Sequence, residues 1–159
     1  TTARHWKILD FGVSKLTDSE GTLTRDGLIG TPGYMSPEQA RGHDSDHRSD
    51  IFSVGAVIYR TLTGHTPFTA SNLPQTLFRI VYVNPKDPMT LLKDLPEDIA
   101  KVLALSVAKR PDDRFDHIQE LVDAFEDARF NNLSPELRYK AEELLKRSPW
   151  DANLSDHSG

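Results

Sequence analysis

Residues 49–62 read SDIFSVGAVIYRTL, and this stretch decides the architecture. Ile51, Phe52, Val54, Ala56, Val57, Ile58, Tyr59 and Leu62 leave almost no polar stripe, so the segment is expected to be buried. Its β-branched residues suit a strand, but the run is too long for one. Gly64 supplies a stop signal and Pro67 lies beyond it. The pattern predicts a buried helix over 49–62.

Working outward, more helical patterns follow. A short helical turn is expected after Pro37, stopped by Gly42, and a weaker helix over 73–83 ends at Asn84-Pro85. Pro96-Glu97-Asp98 is expected to open another helix, with Pro96 in its first position and acids in its first turn; Ile99, Val102, Leu103 and Val107 form its stripe. Asp116 and Gln119 make a plausible capping pair for a helix carrying Ile118, Leu121, Val122 and Phe125. Ser134-Pro135-Glu136 caps a last helix with Leu137, Ala141, Leu144 and Leu145, and the polar tail 151–159 is expected to lack structure. Only 5–9, ahead of Asp10, read as a short strand. The expected class is mainly α.

Composition narrows the function. The chain has 159 residues, 37% of them apolar, enough for one domain with a real core. Its net charge is −5 and its basic residues are scattered, which argues against nucleic-acid binding. No cysteine is present, so disulfides and thiolate zinc sites are excluded and a reducing, cytoplasmic setting is expected. No apolar run reaches the roughly 18–20 residues of a membrane span.

The chemistry-bearing residues lie mostly towards the front. "ILDFG" at 8–12 delivers an Asp into a Phe-Gly turn, and the polar, Thr- and Gly-rich stretch 13–33 is a long loop of the kind that is functional or disordered. By itself Asp10 is better read as an ordinary turn residue following a strand. Eighteen residues after Gly12 comes GTPGYMSPE at 30–38. Then Asp50 opens the buried helix, and KRPDDRF occupies 109–115. His43 and His47 stand four apart beside Asp44 and Asp46, a zinc-like spacing if helical; Gly42 makes a solvated loop the better reading.

In this order and spacing, these motifs resemble the C-terminal lobe of a eukaryotic-type serine/threonine protein kinase of the bacterial kind, over roughly residues 5–127. The resemblance implies a helical lobe with one short strand before Asp10, kinase domain over 1–130 with an activation segment at about 10–38, and a C-terminal extension over 131–159. It implies ATP and Mg²⁺ as cofactors, with Asp10 as the Mg²⁺ ligand. Phe11 would set the loop position and Gly12 give it backbone freedom. Thr31 would support catalysis from the substrate-docking turn. Thr22 and Thr24, with Ser19 as an outsider, are the phosphosite candidates, since a phosphate there could pair with arginines; plain solvated hydroxyls are the alternative. Glu38 and Arg114 would form a buried ion pair, although taken alone they read as two unrelated surface charges. Asp50 would accept N–H bonds from the catalytic loop. Ser36 replaces the commoner Ala before Pro-Glu, and Arg110 stands where an Asp is frequent.

Three parts of the family pattern do not occur in these 159 residues: the Gly-rich loop, the strand Lys with its helix Glu, and the His-Arg-Asp loop with its downstream Asn. With Thr1 rather than Met in first place, the expectation is a fragment lacking the N-terminal lobe, inactive alone and exposing apolar faces meant for that partner. The expected substrates are Ser/Thr proteins. A non-catalytic kinase-like interaction module is the alternative, and the presence or absence of a His-Arg-Asp loop upstream of Thr1 would separate the two.

Overall fold

A computed structural model describes residues 32–157. The chain divides into two units, Thr1–Pro32 and Gly33–Gly159. Apart from Pro32, the described residues belong to the second. The strand expected at 5–9, the residues Asp10, Phe11 and Gly12, the hydroxyls Ser19, Thr22 and Thr24, and Thr31 all lie outside the described residues.

The described residues are helical, and no strand occurs among them. After a 3-10 turn, Pro32–Tyr34, come α1 (Pro37–Ala40), α2 (His47–Thr63), α3 (Leu73–Tyr82) and α4 (Pro88–Leu91). Then follow α5 (Glu97–Ser106), α6 (Ile118–Ala128) and α7 (Pro135–Arg147), with 3-10 turns at Pro111–Asp113 and Leu154–His157.

The helix read at 49–62 is α2, two residues longer at its start. Asp46 caps it by accepting the Arg48 N–H at 2.9 Å, and Gly64 ends it in the left-handed region at φ 76°. α5 is the hub of the packing, meeting α2, α4, α6 and α7. All of its residues after Glu97 are buried, so it behaves as a core helix and not as a one-sided surface helix. Pro96 stands at the N-cap of α5 instead of its first turn, because Glu97 is the first residue with helical bonding.

Phe52, Ala56, Phe68, Ile80 and Val107 form a buried cluster between α2, α3 and the end of α5. Phe52 and Phe68 stack with ring centroids 5.4 Å apart. Tyr34, Met35 and Ala40, around α1, lean on this cluster from one side and Trp150 packs on it as well. The tail read as unstructured contains an antiparallel bridge, Val83 to Asn153, and a final 3-10 turn. The bridge gives backbone groups in a polar stretch a partner they could not find locally.

Candidate functional site

The site is built on α1. Pro37 opens the helix without needing an N–H partner, and Ser36 caps it: the Gln39 N–H donates to Ser36 Oγ at 3.2 Å, while the Ser36 N–H donates to Gln39 Oε1 at 3.0 Å. That reciprocal cap fixes the turn, and Glu38 leaves it pointing at Arg114.

Glu38 and Arg114 meet in a two-pronged pair. Arg114 Nη1 lies 2.7 Å from Oε2 and Nη2 lies 2.8 Å from Oε1, with the Ser49 hydroxyl donating to Oε2 at 2.7 Å. Arg114 is fully buried. Its remaining donors are used on carbonyls: Nε on Ala108 at 2.8 Å, Nη1 on Arg48 at 3.1 Å, Nη2 on Lys109 at 3.1 Å. The guanidinium also rests 5.0 Å from the centre of the Phe52 ring. Burial alone would raise the Glu38 carboxyl, but the hydrogen bonds from Arg114 and Ser49 outweigh it and hold the group at about 2 instead of 4.5. The pair therefore stays charged across the physiological range.

Neighbouring residues brace the arginine's loop. Arg48, at the start of α2, donates to Asp112 and Asp116 at 2.9 Å each. This takes Asp116 away from the capping role expected of it with Gln119; α6 starts behind His117 with no side-chain cap, and Gln119 bonds Asp123 instead. Lys109 turns inward. Its ammonium donates to the carbonyls of Arg79, Ile80 and Val83, at 3.1, 2.6 and 2.8 Å, so it closes the C-terminal end of α3. It also sits 4.2 Å from the Phe68 ring centre. Burial, and then the Arg114 charge, pull its pKa well below the ordinary value, while the carbonyls and the ring favour the charged form.

Other predicted site residues stand apart from this cluster. Asp50 is exposed in the first turn of α2, and its carboxylate accepts no hydrogen bond among the described residues. Partial burial of its carboxyl raises its pKa, with His47 opposing and Asp46 adding. His43 precedes the helix and His47 begins it, so the two do not share a helical face; His47 stacks on His117 instead, 5.5 Å between centroids. Among the described residues no group of three or more His, Cys, Asp or Glu side chains could hold a metal ion.

The motif spacing that joins Glu38 to Arg114 is also the pattern of a known family. The protein kinase domain model matches residues 1–125. The chain is 42% identical to a DNA damage-responsive serine/threonine-protein kinase, RqkA of Deinococcus radiodurans, over 68% of this chain and 16% of that protein. It is 37% identical to the serine/threonine-protein kinase PknB of Mycobacterium tuberculosis, over 72% of this chain and 19% of the relative. With the tyrosine-protein kinase MasK of Myxococcus xanthus it shares 38% identity, over 80% of this chain and 20% of the relative. The chain thus spans a fifth or less of the length of these curated relatives. Among solved structures, the Mycobacterium tuberculosis PknI kinase domain aligns at 24% identity with a TM-score of 0.48, covering 61% of this chain and 34% of that one.

The chain belongs to the protein kinase domain family. Its bacterial-type relatives place it within the bacterial branch of that family. Among the described residues, no helix is long and apolar enough to cross a membrane.

Proposed function

We propose that the chain is the C-terminal-lobe part of an ATP-dependent serine/threonine protein kinase, and that Gly30–Glu38 forms the substrate-docking turn. The observation that carries this reading is the Glu38–Arg114 pair, which fastens the end of that turn to the lobe by two short bonds. Such a platform is what phosphoryl transfer asks of this half of a kinase, since the reaction depends on positioning and on electrostatics. MgATP supplies the transferable γ-phosphoryl group when bound, and Asp10 is the residue of this chain proposed to hold its Mg²⁺. Thr31 is proposed to support the acceptor side, with Phe11 and Gly12 setting the loop. Asp50 would steady a neighbouring loop through its N–H groups, and its exposure in the first turn of α2 leaves it accessible for that.

The names of the relatives differ on the acceptor, two being serine/threonine kinases and one a tyrosine kinase. The form Gly30-Thr31-x-x-Tyr34 favours Ser/Thr acceptors. Thr22 or Thr24 is proposed as the activating phosphosite, protein substrates as the partners, and the cytoplasm as the location. The Gly-rich loop, the strand Lys and the His-Arg-Asp loop with its downstream Asn do not occur in these 159 residues, so the chain is proposed to be inactive alone.

The test compares this chain with the full-length gene product that carries it. Each is incubated with γ-labelled ATP, Mg²⁺ and a general protein substrate, followed by phosphoamino-acid analysis. Label on Ser and Thr from the longer protein, abolished by Asp10→Asn, and none from the chain alone is the expected result. Label confined to Tyr, transfer that survives Asp10→Asn, or Mg²⁺-dependent transfer by the chain alone would overturn the corresponding part.

A further inference from the structure

The family match ends at residue 125, yet the chain continues through α7 and a tail. This segment is attached at three places, each chemically distinct.

The first is a buried carboxylate. Asp98, in the first turn of α5, is 3% exposed. It accepts Arg138 Nε at 3.1 Å and Arg138 Nη2 at 2.7 Å, plus the Leu133 N–H at 3.0 Å. Asn131, in the left-handed region at φ 54°, turns the chain so that these donors arrive. Among the described residues, Lys101 at 3.9 Å is the one ion-pair partner of Asp98 outside the extension. Releasing it would strand a buried charge, so the attachment behaves as a unit and does not fray.

The second attachment is to the arginine of the anchor. Lys140 Nζ donates to the backbone carbonyl of Arg114 at 3.2 Å, and Arg147 reaches Asp113 at 3.4 Å. The third lies beyond α7, where Asn84 donates to the carbonyls of Ser148 and Pro149 and Trp150, near Val107, packs on the buried cluster. Tyr34 and Met35 of the docking turn, with Ala40 of α1, rest on that same cluster. One segment therefore holds Arg114 by its backbone and adds to the buried cluster on which the turn bearing Glu38 also rests.

We infer that residues 131–157 are a strap that positions the Glu38–Arg114 anchor, with Lys140 and Trp150 as its positioning residues. The strap is part of the lobe that carries the anchor. The Lys140 bond is charge-assisted and ends on the backbone carbonyl of a fully buried residue.

Hydrogen–deuterium exchange of the 159-residue chain tests this without reference to phosphotransfer, so its outcome is separate from that of the kinase reading. In Lys140→Met and in Trp150→Ala, peptides covering 36–42 and 109–115 are expected to exchange about tenfold faster, with α6 unchanged. Lys140→Arg, which keeps the donor, is expected to restore wild-type protection. If only 131–157 speeds up, or if all segments speed up together, the strap does not position the anchor and the inference fails. Lys140 is exposed, so its variants fold and decide the matter even if Trp150→Ala does not.

Discussion

Ser36 stands where the family form commonly carries Ala, and its hydroxyl works locally: it accepts the Gln39 N–H inside a buried capping box. Ser36→Ala removes one half of that box and leaves the half-buried Gln39 N–H without its acceptor. A loss of about 1 kcal/mol is expected, read as a lower denaturant midpoint with unchanged slope. At this scale, legibility follows sequence pattern closely. Glu38 and Arg114, 76 positions apart, are readable as partners only because the motif spacing joins them. Lys109 and Asp98 give no such sign of being anchors. The head of Lys109 binds carbonyls at the end of a helix about 30 residues away, and Asp98 binds an arginine 40 residues further on. Neither arrangement leaves a periodic or motif signature. In the sequence Asp98 is only an acid that suits a helix start, which is also true but is the smaller part of its role.

At the scale of elements, Gly55 sets how closely α2 approaches α5. A Cβ added there would stand 2.5 Å from the Cβ of Ser106 and 3.2 Å from a methyl group of Val107. Helix propensity favours Ala over Gly by about 1 kcal/mol in a helix interior. The clash acts the other way and is larger, since both neighbours are buried on a core helix. Gly55→Ala is therefore expected to destabilise by about 1–3 kcal/mol, and Ser106→Gly in the same chain to recover part of the loss. Thermal unfolding of the two single variants and the double variant checks both statements. The helices themselves are legible because their apolar residues recur at helical spacing and Gly64 and Pro67 mark the end of α2. α4 is not, since four residues carry too little periodicity; it is held by Asp87, which accepts the Met89 N–H at 2.9 Å. The start of α6 departs from its sequence pattern because a local pairing of Asp116 with Gln119 loses to Arg48, which is far in sequence and near in space.

For the molecule as a whole, two depressed carboxyls tie distant parts together: Glu38 joins α1 to the Arg114 loop, and Asp98 joins α5 to α7. Both lie below their ordinary values in the folded chain. Burial opposes this in each case, and is outweighed by hydrogen bonds from Arg114 and Ser49 for Glu38, and from Arg138 and the Leu133 N–H for Asp98. A carboxyl depressed by folding adds stability above its unfolded pKa, and that contribution is lost as the pH falls through the folded value. For Glu38 the window runs from 4.5 down to about 2. With about 1.4 kcal/mol per pH unit, this corresponds to on the order of 3 kcal/mol at neutral pH. The expected contribution of these carboxyls is flat from pH 7 to 5 and falls steeply below that, deepened by Asp98 below 3.8. Glu38→Gln separates the contributions. At pH 7 it should lose on the order of 3–5 kcal/mol, because Arg114 is left buried without its counter-charge. Near pH 2 wild type and variant should draw together, since the wild-type carboxyl is then about half protonated in the folded chain and most of its contribution has been lost. Denaturant midpoints measured from pH 7 to pH 2 on both chains check this, and parallel curves across the whole range would show that the pair is not the source of the acid sensitivity.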